Sequence, residues 1–525
     1  MFNLTEAELQ ASFEAIQHHG YSAMLPTPPE WKVVQANWSA VKQYLSQIDL
    51  DTYEPHKPLR VFAPKSRANV RVVHLLHPED LLIYTALVLL VKDDLEQARI
   101  SKKARRVFSY RTKIGVSNRL YDARGSHDAY LSQLQNKAEK GHVQFVGLAD
   151  IADFYPRIYQ HRLENIIQTT ATTQRGNDVA RVLVKKLIAK LMGRNSYGVP
   201  VGPYASRLLG EAVLIDVDAH LHAKGVDYVR WVDDYNIFAK TEFLAQRTLF
   251  ELAEWLYTQH GLTLQAAKTK LLPVDRFASE VLTRPGESVT DRDQVIRIFQ
   301  AGAFENEYDD GDEEYEPDEE AVQDLLEALQ AYDLHKLLKQ SISDAELVDY
   351  EVVRYVLTRL PRIPGADEQL KSDLLDLILD KAELLYPAAE FVASYVLTFD
   401  AMPSKRRKMI ANKLLKPLRS KTNPPPDYYA MWVLHIFSTS SVWNHASDVR
   451  RLYETANSDV VKRYAALAIA TCGSRADALA IKDDLGSSAS MLRLAILSAS
   501  KLLGPDERKH WKLSHQFEGI VEKYV

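Results

Sequence analysis

Hydrophobic positions follow two rhythms along this chain. Short apolar runs at Val143–Leu148 and Tyr228–Val232, rich in β-branched and aromatic residues, predict strands. Asp178–Met192 and Phe243–His260 space their apolar residues three and four apart, which predicts helices. Residues 1–285 therefore read as a mixed α+β region. From residue 326 onward the helical rhythm takes over. Glu351–Leu360, Leu370–Leu385, Lys405–Lys416 and Tyr428–Phe437 are helical pieces separated by short Pro, Gly and Asn breaks. The longest apolar run, Leu81–Val91, stops at Lys92, Asp93 and Asp94, well short of the roughly 20 residues a membrane-crossing helix needs. No membrane partner is expected.

Two of the later segments resemble each other. Lys462–Ile469 and Leu492–Ala499 align with an offset of 30 residues and share an arginine within the same alternation of small and large apolar residues. That pattern resembles a HEAT-like helical array, in which each helix pair covers its neighbour's apolar face; an unrepeated bundle is the alternative. Charge divides the chain in the same way. Residues 1–300 carry 38 Lys and Arg against 33 Asp and Glu, and the remainder 27 against 37, largely because Glu305–Glu320 holds 11 acids and no base. Residues 286–325 thus read as an acidic linker between an N-terminal domain, 1–285, and a helical domain, 326–525. The opposite cluster, Arg99–Lys113, mixes bases with Val107, Phe108 and Tyr110, as a surface for phosphates and bases does, or as a solvated helix face does. A single cysteine, Cys472, and an N-terminus with glutamates in place of a basic leader point to the cytoplasm.

The chemistry lies in three segments. Phe145–Asp150 is an apolar strand that ends in an acid and is followed by Phe154 and Tyr155. Tyr228–Phe238 consists of two β-type runs joined by a bare Asp233-Asp234 pair, which places both carboxylates at the tip of a tight hairpin. Adjacent acids between apolar strands repel each other unless a cation neutralises them; an exposed turn is the bland alternative. The third segment, Gly198–Arg207, is a Gly/Pro loop that lets backbone approach a ligand, and it leads into an apolar helix that Ser206 is placed to cap.

Asp150, the loop, and Asp233 83 residues after Asp150 resemble, in order and spacing, motifs A, B and C of a reverse transcriptase palm. Phe62–Arg71 and His77–Tyr84 resemble the finger segments of bacterial reverse transcriptases, and Gly261–Lys270 is similar to their motif D. The Trp231-Val232-Asp233-Asp234 form, the Ser206–Glu211 continuation and the long helical tail look like the abortive-infection, defence-associated branch. The resemblance departs from the common pattern at Val201, where many members carry a glutamine.

The resemblance implies a right-hand polymerase, fingers and palm, followed by an all-α HEAT-like domain. It also implies a DNA polymerase with two bound Mg²⁺, or Mn²⁺, acting in antiphage defence. Asp150 and Asp233 would bridge the ions, with Asp234 and the Ile151 carbonyl completing the shell. Lys65 and Arg71 would meet the dNTP triphosphate, Lys268 the pyrophosphate, and Tyr155 would fill the space of a ribose 2′-hydroxyl. Gly202 would let the motif B loop approach the nascent pair. Nucleic acid, dNTPs and further copies of the chain are the implied partners. Relatives in this branch include enzymes that start DNA on one of their own tyrosines, and none of the 26 tyrosines here is marked for that role. Two alternatives stand beside this reading: a retron- or intron-like enzyme copying a dedicated RNA, and a catalytically silent palm serving as a phage sensor.

Overall fold

The computed structural model describes residues 1–66, 69–122, 126–282 and 328–522, the last with short omissions at 330–331, 343–347, 364, 400–401, 421, 510, 512 and 514–515. The expected acidic linker lies outside the described residues. Two sheets form in the N-terminal region. Leu59–Ser66 (β1) and Asn69–Leu75 (β2) make an antiparallel hairpin. The second sheet holds Phe145–Asp150 (β3), Tyr228–Trp231 (β4), Asp234–Ala239 (β5) and Lys270–Pro273 (β6) in the order β4-β5-β3-β6. All its pairings are antiparallel.

Helices cover this sheet, and the residues of β4 and β5 are buried almost throughout. Gly147 faces the helix Glu242–Trp255 so closely that a Cβ there would meet Leu249 side-chain atoms at 3.1 Å. The helix Ser126–Ala138 packs on β4 and β5. Helix Ala205–Val213, which follows the Gly/Pro loop, rests on the long buried helix Pro78–Ala98 and on Gln160–Thr170. The predicted helix over 178–192 is one continuous rod from Gln174 to Leu191 with a π-helical stretch at Val182–Ile188.

The basic tract divides: Lys102, Lys103, Arg105 and Lys113 stay exposed, with Lys102–Ala104 a solvated helical turn, while its arginines at 99, 106 and 111 turn inward. Arg99 and Arg111 are buried, and both pair with Glu96, at 3.2 and 2.7 Å. Arg106 donates to the Val226 carbonyl at 2.7 Å and pairs with Asp227 at 3.2 Å. Carboxylates draw these side chains inward, Glu96 from nearby in sequence and Asp227 from 121 positions away, because a buried acid leaves its cost uncompensated without a cation.

Beyond residue 333 helices alternate between two rows. Tyr350–Arg359, Ala389–Leu397, Asp427–Thr439, Asp459–Cys472, Ser490–Ala499 and Gln516–Glu522 pack each on the next. Leu334–Ser341, Glu368–Asp380 and Ser404–Leu415 form the start of the other row. The two aligned segments fall on the neighbouring helices Asp459–Cys472 and Ser490–Ala499. Their shared arginines are both buried and both bound to glutamate: Arg463 to Glu30 at 2.9 and 2.7 Å, Arg493 to Glu518 at 2.7 and 2.9 Å. Glu30 belongs to the N-terminal helix Glu30–Ala36, so the array closes back onto the first region. Helices Asp427–Thr439 and Asp459–Cys472 also lie against β1. Among the described residues no helix is long and apolar enough to cross a membrane.

Candidate active site

Strand pairing brings the three acids together. Asp150 ends β3 and sits in register with Asp234, the first residue of β5. Asp233 occupies the turn between β4 and β5, and its carbonyl accepts from Ile151 N–H at 3.2 Å, which ties the hairpin tip to the end of β3. The segment after Gly261 braces the same point, since Gln265 N–H donates to the Asp150 carbonyl at 2.7 Å. One carboxylate oxygen from each of Asp150, Asp233 and Asp234 lies within 4.8 Å of the other two.

The turn is strained and then held. Val232 has φ +50°, a left-handed conformation that a β-branched residue adopts at a cost of about 1–3 kcal/mol. Both of its peptide groups are fixed: its N–H donates to Ser109 Oγ at 2.9 Å, and its carbonyl accepts from Arg230 at 2.6 Å. Arg230, fully buried, is locked by Asp218 at 2.6 Å and Glu211 at 2.9 Å. Glu211 also takes Arg99 at 2.6 Å and the Ser109 hydroxyl at 2.5 Å. Sequence reasoning did not single out Arg230, Ser109 or Glu211. The available signal was an arginine standing alone between Val229 and Trp231 in an apolar strand, which calls for a buried acid.

Electrostatics at the cluster are those of crowded acids. Loss of surrounding water, then repulsion from Asp150, raises Asp233 to about 6. Asp234 has an outer edge open to solvent, yet the protein on its other sides thins its hydration; with Asp233 and Asp150 beside it, its carboxyl is raised to about 7. Lys268 donates to Asp150 at 3.0 Å. Partial burial opposes its charge, but that bond and the three acids hold its ammonium above the usual lysine value. Three hard oxygen donors with one lysine for compensation make a set suited to a divalent cation completed by water and phosphate oxygens.

The other expected residues are placed as follows. Lys65, exposed at the end of β1, lies near enough to favour the charged form of Asp233. Arg71, on β2, points its guanidinium at Met24 Sδ, 3.7 Å away. Tyr155 is half-buried, with its ring against Gly210, where a Cβ would come within 2.9 Å of it. Its hydroxyl is pushed well above the ordinary tyrosine value by burial, with Tyr110 and Asp233 adding to the effect. Gly202 has φ +120°, and a Cβ there would meet Val73, the His74 carbonyl and Ser22 at 3.0–3.2 Å, so the loop is fitted against β2. His74 N–H donates to the Val201 carbonyl at 2.7 Å, and Val201 N–H donates back to His74 Nδ1 at 3.2 Å. Ser206 is not a cap. The helix begins at Ala205, and Ser206 Oγ donates to the Pro200 carbonyl at 2.5 Å and bonds Tyr84 Oη at 2.8 Å, closing the loop from within.

No family model and no curated protein matches the chain. Among solved structures it is similar to telomerase from Candida albicans in complex with a TWJ fragment of telomeric RNA, at 11% identity over 82% of this chain and 69% of that one, with a TM-score of 0.33. It is also similar to apo telomerase from Candida tropicalis, at 10% identity over 84% and 73%, with a TM-score of 0.32. At these values the likeness establishes neither fold nor activity.

Proposed function

We propose that the protein is a nucleotidyltransferase of the reverse transcriptase type that adds deoxynucleotides to DNA in bacterial antiphage defence. The observation that supports this reading is the meeting of Asp150, Asp233 and Asp234 within 4.8 Å at one end of an antiparallel sheet. Asp150 and Asp233 would hold Mg²⁺ or Mn²⁺, with Asp234 and the Ile151 carbonyl beside them. When bound, the ions neutralise the triphosphate and hold the attacking and leaving oxygens in line.

The chain's own residues do the rest. Lys268, kept protonated by Asp150, stands ready to donate a proton as charge builds on the leaving pyrophosphate. Lys65, on β1, supplies a cation close enough to act on Asp233. Tyr155, seated against Gly210, would occupy the room a 2′-hydroxyl needs, which favours dNTPs over ribonucleotides. Nucleic acid and further copies of the chain are the partners this reading implies, and the defence role rests on the sequence resemblance.

The test is to incubate purified protein with each labelled dNTP and Mg²⁺ or Mn²⁺, with and without RNA. Nucleotide addition is expected, falling roughly a thousand-fold in Asp233→Asn. Label that stays on denatured polypeptide and leaves with nuclease marks priming from the protein itself. Nucleotide addition that survives Asp233→Asn overturns the reading. Phage protection that survives it favours the silent sensor.

A further inference from the structure

A second cluster of ligating side chains lies outside the palm acids, where the C-terminal helices meet the N-terminal region. His56 precedes β1. His77 caps the helix Pro78–Ala98, and Glu79 lies in that helix's first turn. One ligand atom from each lies within 4.8 Å of the others. His56 Nε2 is 2.7 Å and His77 Nδ1 3.5 Å from the same oxygen, Glu79 Oε2. The two imidazoles are stacked, with centroids 3.8 Å apart. Glu79 is 1% exposed; its other oxygen, Oε1, makes no hydrogen bond of good geometry, although the Tyr44 hydroxyl reaches the same carboxylate.

We propose that His56, His77 and Glu79 form a zinc site that fastens the C-terminal helices to the N-terminal region. Two imidazole nitrogens and a carboxylate are a common donor set for Zn²⁺, whereas Mg²⁺ asks for oxygens alone. Without a cation, the buried Glu79 carboxylate has His56 and the Tyr44 hydroxyl against it but no well-formed bond at Oε1, an arrangement that costs free energy; a divalent ion would complete it. The surroundings match a support shell. His56 Nδ1 meets Ser490 Oγ at 2.8 Å, the outer partner that orients a ligating imidazole. Asp80 accepts from His56 N–H at 3.0 Å and from Tyr53 Oη at 2.8 Å, which fixes the backbone that carries His56. Phe517 packs its ring edge-on to His77 at 4.9 Å. Ser490 and Phe517 come from helices Ser490–Ala499 and Gln516–Glu522 near the end of the array, so the site joins both ends of the fold.

The test uses the full-length protein, stripped with a chelator and dialysed against Zn²⁺ alone. About one Zn²⁺ per chain is expected by elemental analysis, with a rise in melting temperature. An Asp150→Asn/Asp233→Asn/Asp234→Asn variant keeps this zinc, while Glu79→Gln and His77→Gln lose it and Ser490→Ala binds about ten-fold more weakly. Co²⁺ added to the stripped wild-type protein gives the visible absorption of a low-coordinate nitrogen and oxygen site, a readout that needs no variant to fold. Failure of the wild type to take up zinc and to develop the Co²⁺ bands overturns the proposal. So does zinc retained in Glu79→Gln and His77→Gln, or zinc lost with the palm acids.

Discussion

Val232 shows how a single residue can be held against its preference. Its left-handed φ persists because Ser109 and Arg230 grip the two peptide groups on either side. Ser109→Ala removes one grip and leaves Glu211 short of a donor, so it should cost about 1–3 kcal/mol by chemical denaturation. Nucleotide addition should fall with it, because the hairpin that carries Asp233 loses its anchor. The acids have their own signature. Asp234 ionises near 7 in the fold against an ordinary value of 3.8, and Asp233 near 6, so the folded state holds protons that the unfolded chain has released. Stability without metal should therefore decline as pH rises from about 4 through about 7, and Asp234→Asn should flatten that decline in thermal melts. Adding Mg²⁺ at neutral pH should restore the wild type and leave the variant less affected.

At the level of elements, helix Ala205–Val213 seats the Tyr155 ring. Gly210 on this helix accepts the Tyr155 ring at a distance no Cβ tolerates. Gly210→Ala should push the ring out of place and lower the ratio of dNTP to ribonucleotide kcat/KM, roughly ten-fold; an unchanged ratio would remove Tyr155 from that role. Several strands and helices were legible, though the helix predicted at 370–385 ends at Asp380 and the strand predicted at 143–148 runs from Phe145 to Asp150. The predicted strand Tyr228–Val232 is β4 extended by one residue, and helices predicted at 351–360, 405–416 and 428–437 agree with observed bounds to within two residues. Local rhythm sufficed for Tyr350–Arg359 and Ser404–Leu415, which each bury one face, while β4 and Asp427–Thr439, buried nearly all round, were legible as apolar runs. It did not suffice for Ser206, whose partners Pro200 and Tyr84 lie across a loop and on another helix, nor for Arg99, whose acid Glu211 is 112 positions away. The convergence of Asp150 with the Asp-Asp pair was legible, since a strand end and a hairpin tip meet when the strands pair. The bracing of Val232 was not, since nothing in Tyr228–Phe238 names its partner Ser109.

For the whole molecule, the closure of the helical array on the N-terminal region is the dominant feature. Arg463 and Glu30 are both fully buried and 433 positions apart, a separation no local pattern reveals. Arg463→Met leaves a buried carboxylate alone and should cost about 3–5 kcal/mol in thermal or chemical melts, while the pair Arg463→Met/Glu30→Leu should recover much of it. Truncating the chain after residue 325 should strip β1 of its covering helices and yield an aggregating fragment, scored by size-exclusion chromatography. The same closure sets an order on biogenesis. At ribosomal speeds of roughly 5–20 residues per second, Glu30 waits on the order of 20–90 s for its guanidinium to be synthesised. During that interval the nascent N-terminal part is competent to collapse but not to finish, so holdase chaperones that cover its apolar flank should set the yield of native protein.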